Sequence, residues 1–224
     1  MFKEHDFTVW GTYCQCGNEC SILQNEYQPW IDTQFTIKLK CNSCNNEILI
    51  DKNGAEIFYN NKIHSYFSNI YGKVIDLGCG SGFLSRYFTN QININKVYGL
   101  DIDRDCRNEL IDIIEEDKKF EFINSDISNM SSIFSTKSID FLVSRDVFMF
   151  IENTDQFFDN VSRIVDKGIR QMGWYIEGNN RMKNNLTPQQ IAEEYRKRGW
   201  IAELEGLNWY KSGYFINAYK PLKD

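Results

Sequence analysis

The stretch "VIDLGCGSGFLS", Val74 to Ser85, constrains the fold of this chain more than any other. An apolar run reads as a buried strand, glycines alternate at Gly78, Gly80 and Gly82, and a helical pattern begins at Phe83. Glycine is needed where the backbone turns with positive φ or must approach a ligand without a Cβ in the way. The helix start beyond it adds the positive end of a helix dipole. From Lys73 onward the same strand-then-helix alternation repeats, which is the pattern of a parallel α/β sheet. Strands are expected at "KVIDLG", "KVYGLDI", "FEFINSD", "SIDFLVS" and "GWYIEG". Helices are expected at "FLSRYF", at "RDCRNELIDIIEE" with Cys106, Leu110, Ile113 and Ile114 on one face, and at "DQFFDNVSRIV". In "LTPQQIAEEYRKRG", Thr187 is the expected N-cap, Pro188 the first helical residue and Gln190 the partner in a capping box. Leu186 and Ile191 can form a hydrophobic staple, and Gly199 ends the helix. "WIAELEGL" and "GYFINAYK" follow as two strands with a short link, hence an antiparallel hairpin.

The details of the glycine loop narrow its ligand. A dinucleotide loop wants G-x-G-x-x-G, but Phe83 stands where the third glycine is called for, and Gly82 comes one residue early. A P-loop needs Gly-Lys-Ser/Thr, which is absent. Asp76, two residues before the first glycine, repels a phosphate and suits a ligand carrying an ammonium group.

This stretch resembles motif I of the class I S-adenosylmethionine-dependent methyltransferases, and the strand succession resembles their Rossmann-like, seven-stranded fold. The resemblance covers residues from about 60 to 220. Asp101 in "GLDID" lies 19 residues beyond Gly82, where an acid that holds ribose hydroxyls is expected. Asp126 in "NSDIS" ends the third strand, where the family places an acid facing the adenine amino group. The resemblance implies that Gly78, Gly80 and Gly82 line the methionine part of the cofactor and that Asp76 orients the loop and the ammonium. It implies that Ile102 and Ile127 pack on adenine, and that Ser144, expected just past strand four, lies near the methionine end. Ile102 and Ile127 read equally as core residues, and Ser144 as a loop residue. Cys79 is expected to pack beneath the loop.

Methyl transfer from a sulfonium is an in-line displacement, so the protein supplies proximity, orientation and a dry pocket. A base is required only where the acceptor must lose a proton. Ligands of open α/β sheets sit beyond the carboxyl ends of the strands. Acceptor-side candidates are therefore Arg145 and Asp146 after strand four and Glu177 after strand five. Arg145 and Asp146 read equally as a structural ion pair. His64 lies on the helix before the glycine loop, a helix that closes over the cofactor in some small-molecule methyltransferases. A partly exposed helix histidine is the plainer reading. Tyr59, Tyr66 and Phe67 nearby either line an acceptor pocket or pack the helix. No Asn-Pro-Pro-Tyr, Pro-Cys or metal-binding carboxylate set names the acceptor.

Before Lys73 the pattern changes. "QFTIKLK" alternates as a strand, "CNSC" turns it and "EILI" returns, while "YCQCGNEC" places three further thiols upstream. The chain has no apolar run of the roughly 18 residues a membrane helix needs, and no apolar stretch behind a basic start. A cytoplasmic protein is expected. There thiols stay reduced, and paired cysteines read as metal or redox sites. Cys41 and Cys44 have the form of a zinc knuckle, and structural zinc takes four ligands. Cys14 and Cys16 are the expected second pair because Gly17 follows Cys16. Their Cys-x-Cys spacing keeps Cys20 in contention. The cluster resembles a zinc ribbon over about residues 10–52. The expected domains are a zinc-ribbon-like module over 1–55 and a methyltransferase domain over 56–224.

Charge bears on the acceptor. Residues 1–60 carry four lysines against eight acids, whereas residues 163–198 carry eight bases against four acids. Lys and Arg pairing with phosphate dominates nucleic-acid affinity. An acidic N-terminal module therefore favours a small polar metabolite or sugar-like acceptor over RNA, although ribosomal RNA methyltransferases with an N-terminal zinc module keep the RNA alternative open. A non-catalytic cofactor-binding scaffold is the other alternative. Intact Asp76, Gly78, Gly80, Gly82, Asp101 and Asp126 count against it. Oligomeric state is not legible.

Overall fold

The computed structural model describes residues 9–23, 36–210 and 212–221. Gln34 and Phe35, expected to open the third strand, lie outside the described residues, as do residues 1–8. The chain divides into two compact units, Met1–Tyr66 with Asn208–Lys211, and Phe67–Leu207 with Ser212–Asp224.

The first unit holds two hairpins and a helix. Strands β1 (Val9–Tyr13) and β2 (Glu19–Leu23) pair antiparallel, as do β3 (Thr36–Lys40) and β4 (Glu47–Asp51). Helix α1 (Lys52–Tyr66) follows at once. Asp51 starts it, its Oδ1 accepting the Gly54 N–H at 2.7 Å. The domain boundary expected at residue 55 falls inside α1, which belongs whole to this unit. Trp10, Leu39, Ile50 and Ala55 are buried together with Cys14, Cys20 and Cys41. Gly11 permits this packing, because a Cβ there would stand 2.5 Å from the Phe58 ring. Trp209 and Tyr210 belong to the same unit. Their rings meet Tyr59 at 6.0 and 6.3 Å, Tyr66 approaches Trp209 at 5.6 Å, and Lys62 Nζ lies 5.5 Å from the Trp209 ring. Lys62 also pairs with Glu19 at 3.0 Å.

The second unit is a seven-stranded sheet with helices. In chain order its elements are β5 (Gly72–Leu77), α2 (Phe83–Thr89), β6 (Ile94–Asp101), α3 (Cys106–Glu109), α4 (Ile111–Glu116), β7 (Phe120–Asn124), α5 (Met130–Ile133) and β8 (Ile139–Arg145). Then come α6 (Thr154–Ile164), β9 (Val165–Trp174), α7 (Pro188–Lys197), β10 (Ile201–Leu207) and β11 (Gly213–Tyr219). The sheet order is β10-β11-β9-β8-β5-β6-β7. Strands β5 to β9 run parallel, and β11 is antiparallel to both β9 and β10. The α/β sheet closed by an antiparallel hairpin is as the sequence implies. Helix α7 has the expected start: Thr187 Oγ1 accepts the Gln190 N–H, Gln190 Oε1 accepts the Thr187 N–H at 2.8 Å, and Pro188 is first in the helix. Gly199 follows its end at φ +80°.

Three local expectations are corrected. The single helix expected at "RDCRNELIDIIEE" is two short helices with Leu110 between them at φ −104°, ψ 4°. Leu110 is fully buried against Gly82, and that packing holds the backbone out of helical register. The fifth strand runs from Val165 to Trp174, so only Gly173 and Trp174 of "GWYIEG" belong to it. Lys167, Arg170 and Gln171 hide its apolar character, and Gly168 and Gly173 leave room for the Phe141 and Tyr214 rings. Ser144 lies inside β8 rather than past it, because β5 and β9 pair with it from both sides.

Candidate functional site: a strand-end cleft and a cysteine cluster

Parallel strands bring the ends of β5, β6, β7 and β8 to one edge of the sheet, and the glycine loop runs along that edge. Gly78, Gly80 and Gly82 have φ of +65°, +49° and +88°. The Gly78 and Cys79 N–H groups both donate to the Leu100 carbonyl, at 2.7 and 3.3 Å, which fastens the loop to β6. Gly78 is crowded by Val147 and Gly82 by Leu110. A Cβ on Gly80 would meet nothing within 4 Å. That open side of the loop is where a ligand can approach backbone. Gly82→Ala combines a left-handed φ with a Cβ 2.4 Å from Leu110 Cδ2. It is expected to lose about 2 kcal/mol or more of stability, read as a lowered midpoint in urea.

Asp76, near the end of β5, is buried, and its Oδ2 accepts the Ser85 hydroxyl at 2.6 Å. Burial pushes its carboxyl up to about 6, against the opposing pull of the Ser85 hydrogen bond and the Arg145 guanidinium. Ser85 was not singled out from sequence. The signal available was that a buried carboxylate needs a donor, and Ser85 is the hydroxyl on the helix the loop opens. Burial likewise raises the Cys79 thiol, whose side chain lies beneath the loop.

Asp101 ends β6 with both carboxylate oxygens engaged by backbone: Gly80 N–H at 2.9 Å and Asp103 N–H at 2.9 Å. Each oxygen keeps a further lone pair. Ile102 beside it is 69% exposed, an apolar side chain presented at a strand end. Asn124 Nδ2 pins the same corner, donating to the carbonyls of Asp101 and Ile102. Asp126 is exposed, and its Oδ1 accepts the Ser128 N–H at 2.7 Å. Ile127 is half-buried against the main core. Ser144 is buried.

Arg145 closes β8 with its guanidinium 4.1 Å from the centre of the Phe83 ring. Asp146 follows at φ +59°, a left-handed conformation that is uncommon outside glycine, with its N–H donating to the Met172 carbonyl at 3.0 Å. Glu177 is exposed, three residues past β9. Thus Asp76, the three glycines, Asp101, Ile102, Asp126, Ile127, Ser144, Arg145, Asp146 and Glu177 all lie in the second unit, at or beyond the carboxyl ends of its strands. His64 lies half-buried on α1, in the first unit.

The cysteines of the first unit converge. The sulfurs of Cys14, Cys16, Cys41 and Cys44 all lie within 4.8 Å of one another, with Cys14–Cys44 at 3.5 Å and Cys16–Cys41 at 3.6 Å. Sulfurs on a tetrahedral ion with arms of about 2.3 Å stand about 3.8 Å apart, so the set has the right size. The two turns are built alike. Cys14 N–H donates to Asn18 O and Gly17 N–H to Cys14 O; Cys41 N–H donates to Asn46 O and Asn45 N–H to Cys41 O. Gly17 and Asn45 both have positive φ, +87° and +61°. The first turn is one residue shorter, which is how Cys-x-Cys matches Cys-x-x-Cys. Cys41 is held down to about 6, chiefly by the backbone N–H groups of Cys44 and Ser43, as suits a thiolate ligand. Cys20 is buried in the core beside Trp10 and lies outside the four.

Residues 75–170 match the family described as "Methyltransferase domain" (Methyltransf_11). The chain is 29% identical over 107 residues to a ubiquinone biosynthesis O-methyltransferase, mitochondrial, of Dictyostelium discoideum. That match takes in 42% of this chain and 32% of that protein, so the chain spans about a third of the relative's length. Among solved structures, phosphoethanolamine N-methyltransferase 2 of Haemonchus contortus, in complex with S-adenosyl-L-methionine, aligns with a TM-score of 0.63. Identity is 16%, over 75% of this chain and 53% of that one. An S-adenosylmethionine-dependent methyltransferase of Aquifex aeolicus aligns with a TM-score of 0.57 at 16% identity, over 71% of this chain and 88% of that one. At these identities the structural likeness concerns the fold, and the domain match concerns residues 75–170. Residues 75–170 thus match a methyltransferase domain, on a fold that the chain shares with S-adenosylmethionine-dependent methyltransferases of known structure.

Proposed function

We propose that the protein transfers a methyl group from S-adenosylmethionine to an oxygen or nitrogen of a small polar or sugar-like acceptor. The observation that carries the reading is the glycine loop tied to Asp101 through Gly80, with an open face at Gly80 and an ionisable Asp76 buried beneath it. In this reading Asp101 accepts the ribose hydroxyls, Ile102 and Ile127 flank the adenine and Asp126 accepts its amino group. Gly78, Gly80 and Gly82 give backbone access to the methionine part. Asp76 holds the ammonium, and Ser144 stands near the methionine end. The bound cofactor supplies an electrophilic methyl on sulfonium; the chain orients it, excludes water and places the acceptor. On the acceptor side stand Arg145, Asp146 and Glu177, with His64 on α1 as a further candidate.

Ionisation of Asp76 gives the reading a pH signature. Its folded-state pKa of about 6 lies above the ordinary carboxylate value of 3.8, so the folded state holds the proton more tightly than the unfolded one. Stability is therefore expected to fall as pH rises from about 4 to about 6. Cofactor affinity is expected to rise over the upper part of that window, because the ammonium gains its carboxylate. Calorimetry from pH 5 to 8 checks this, with Asp76→Asn expected to flatten the rise.

The names of two matched proteins, a ubiquinone biosynthesis O-methyltransferase and a phosphoethanolamine N-methyltransferase, support transfer to an oxygen or a nitrogen. The basic segment 163–198 favours a small molecule over RNA. Lys167 pairs with Asp140, Lys183 with Glu152, Arg196 with Glu193, Lys197 with Glu194, and Arg198 with Glu194 and Asp159. Those charges are already compensated. Among the described residues no helix is long and apolar enough to cross a membrane. We also propose that Cys14, Cys16, Cys41 and Cys44 hold one structural zinc in an N-terminal zinc-ribbon-like module.

The deciding experiment incubates the protein with S-adenosylmethionine and either pooled polar metabolites or RNA, and follows the demethylated product by mass spectrometry. Turnover with the metabolite pool is expected. Turnover with RNA alone, weakening steeply with salt, would overturn the acceptor assignment. Cofactor binding without turnover on either pool would favour a scaffold.

A further inference from the structure

Asn18 follows the shorter of the two cysteine turns, and its side chain is aimed at a sulfur. Its Nδ2 donates to Cys16 Sγ at 3.3 Å, two residues back across Gly17. Its carbonyl accepts the Cys14 N–H at 2.9 Å and faces the Cys20 thiol at 3.9 Å. One residue thus reaches Cys14, Cys16 and Cys20 by three separate contacts. Gly17 makes this possible: at φ +87° it turns the chain so that the residue after it comes back over the ligand before it.

Four thiolates on a divalent cation leave negative charge in excess on the sulfurs, and hydrogen-bond donors around them take it up. In the longer turn the backbone supplies donors: the Ser43 and Cys44 N–H groups face the Cys41 sulfur. The shorter turn has one residue fewer between its cysteines, hence one N–H fewer, and there a side chain donates instead. Exposure makes this donor matter. Cys14 and Cys41 are buried, whereas Cys16 and Cys44 are exposed. An exposed thiolate is the one that a chelator or an electrophile reaches first. Asn18 and Asn46 hold matching places. Each follows a residue of positive φ, Gly17 or Asn45, and each carbonyl accepts the N–H of the first cysteine of its turn. Any residue supplies that carbonyl. What asparagine adds at position 18 is the side-chain amide.

We propose that Asn18 is a positioning residue of the metal site: its side-chain amide donates to the Cys16 thiolate, holds that sulfur in place for coordination and shields it from electrophiles. This rests on the reading of the four cysteines as a zinc site. The amide completes the Cys-x-Cys turn, so that the shorter turn can stand opposite Cys-x-x-Cys on one ion. A hydrogen bond that draws charge from a thiolate also lowers its nucleophilicity. Side chains that hold metal ligands commonly change metal affinity by about 10–100-fold. Asn18 is exposed, and water competes for its amide, so the lower end of that range applies. Asn18 had no sequence signal of its own, since an asparagine just after a glycine reads as an ordinary turn residue.

The test uses the full chain and needs neither cofactor nor acceptor. Zinc content is read by elemental analysis and zinc affinity by competition with a chromogenic chelator. Alkylation of Cys16 and of Cys44 by iodoacetamide is followed peptide by peptide in the zinc-loaded protein. Asn18→Ala is expected to weaken zinc binding about tenfold and to raise the Cys16-to-Cys44 alkylation ratio about threefold or more. Asn18→Asp keeps the shape but sets a carboxylate against a thiolate, and should weaken zinc binding at least as much. The ratio within one molecule separates the bond from general loosening, because unfolding of the unit would speed both cysteines alike. Zinc affinity and ratio within about twofold of wild type in both variants, or both cysteines accelerating together, overturns the proposal. Wild-type protein purified without zinc would instead remove the zinc reading, and the proposal with it.

Discussion

Asp101→Ala is expected to weaken S-adenosylmethionine binding about 100-fold, and also to lower thermal stability, because the Gly80 and Asp103 N–H groups lose their acceptor. Asp101 has two tasks in this cleft. Its carboxylate ties the glycine loop to β6 by accepting the Gly80 N–H, and it orders the turn after the strand by accepting the Asp103 N–H. The lone pairs that remain are the ones proposed for the ribose hydroxyls. Hydrogen bonds to a charged group contribute about 1.5–3 kcal/mol each. Loss of the ribose pair alone is then about 3 kcal/mol, or two orders of magnitude in Kd. Asp101→Asn keeps the shape and one acceptor, and should fall between wild type and alanine. Calorimetry reads both. Alanine and wild-type affinities within threefold of each other would remove Asp101 from the cofactor site.

Stripping metal is expected to unfold the first unit and leave the seven-stranded sheet folded. The cluster around the cysteines, Trp10, Leu39, Ile50 and Ala55 with three of the thiols, is small, and domains of this size commonly need a metal or disulfide staple. Structural zinc in four-ligand sites contributes about 10–16 kcal/mol. The purified protein should carry one zinc per chain. A strong chelator should expose the 9–66 region to limited proteolysis, and cofactor binding by the second unit should survive. Cys41→Ser should release the metal, whereas Cys20→Ser should retain it, because Cys20 lies outside the four-sulfur group. Purified chains without zinc, or a Cys20→Ser protein that loses it, would overturn the assignment.

Much of this was legible because local signals agreed with the global fold. The α7 boundaries followed from Thr187, Pro188 and Gln190, and each strand end carrying an acid could be read from its apolar run. What escaped was set by packing across the chain. Leu110 breaks its helix because it is buried against Gly82, a contact between residues 28 apart in sequence. β9 was obscured because a central strand can carry Gln171 only when Tyr195 and Tyr214 satisfy it. The Cys14–Cys16 spacing was ambiguous because the equivalence of two turns, one shorter than the other, appears only once Gly17 and Asn45 are seen in the same backbone region. The partner of Asp76 was invisible for the same reason.

The tip Asn208–Lys211, which belongs with the cysteine unit although β10 and β11 belong to the sheet, bears on how such a protein can change over generations. Trp209 and Tyr210 find their neighbours in Tyr59, Tyr66 and Lys62, some 150 residues earlier in the chain. A recombination event that exchanged the first 66 residues for those of a relative would carry away one half of this aromatic cluster and strand the other. The module is thus inherited in two pieces, and substitutions on α1 should be answered by substitutions at the hairpin tip.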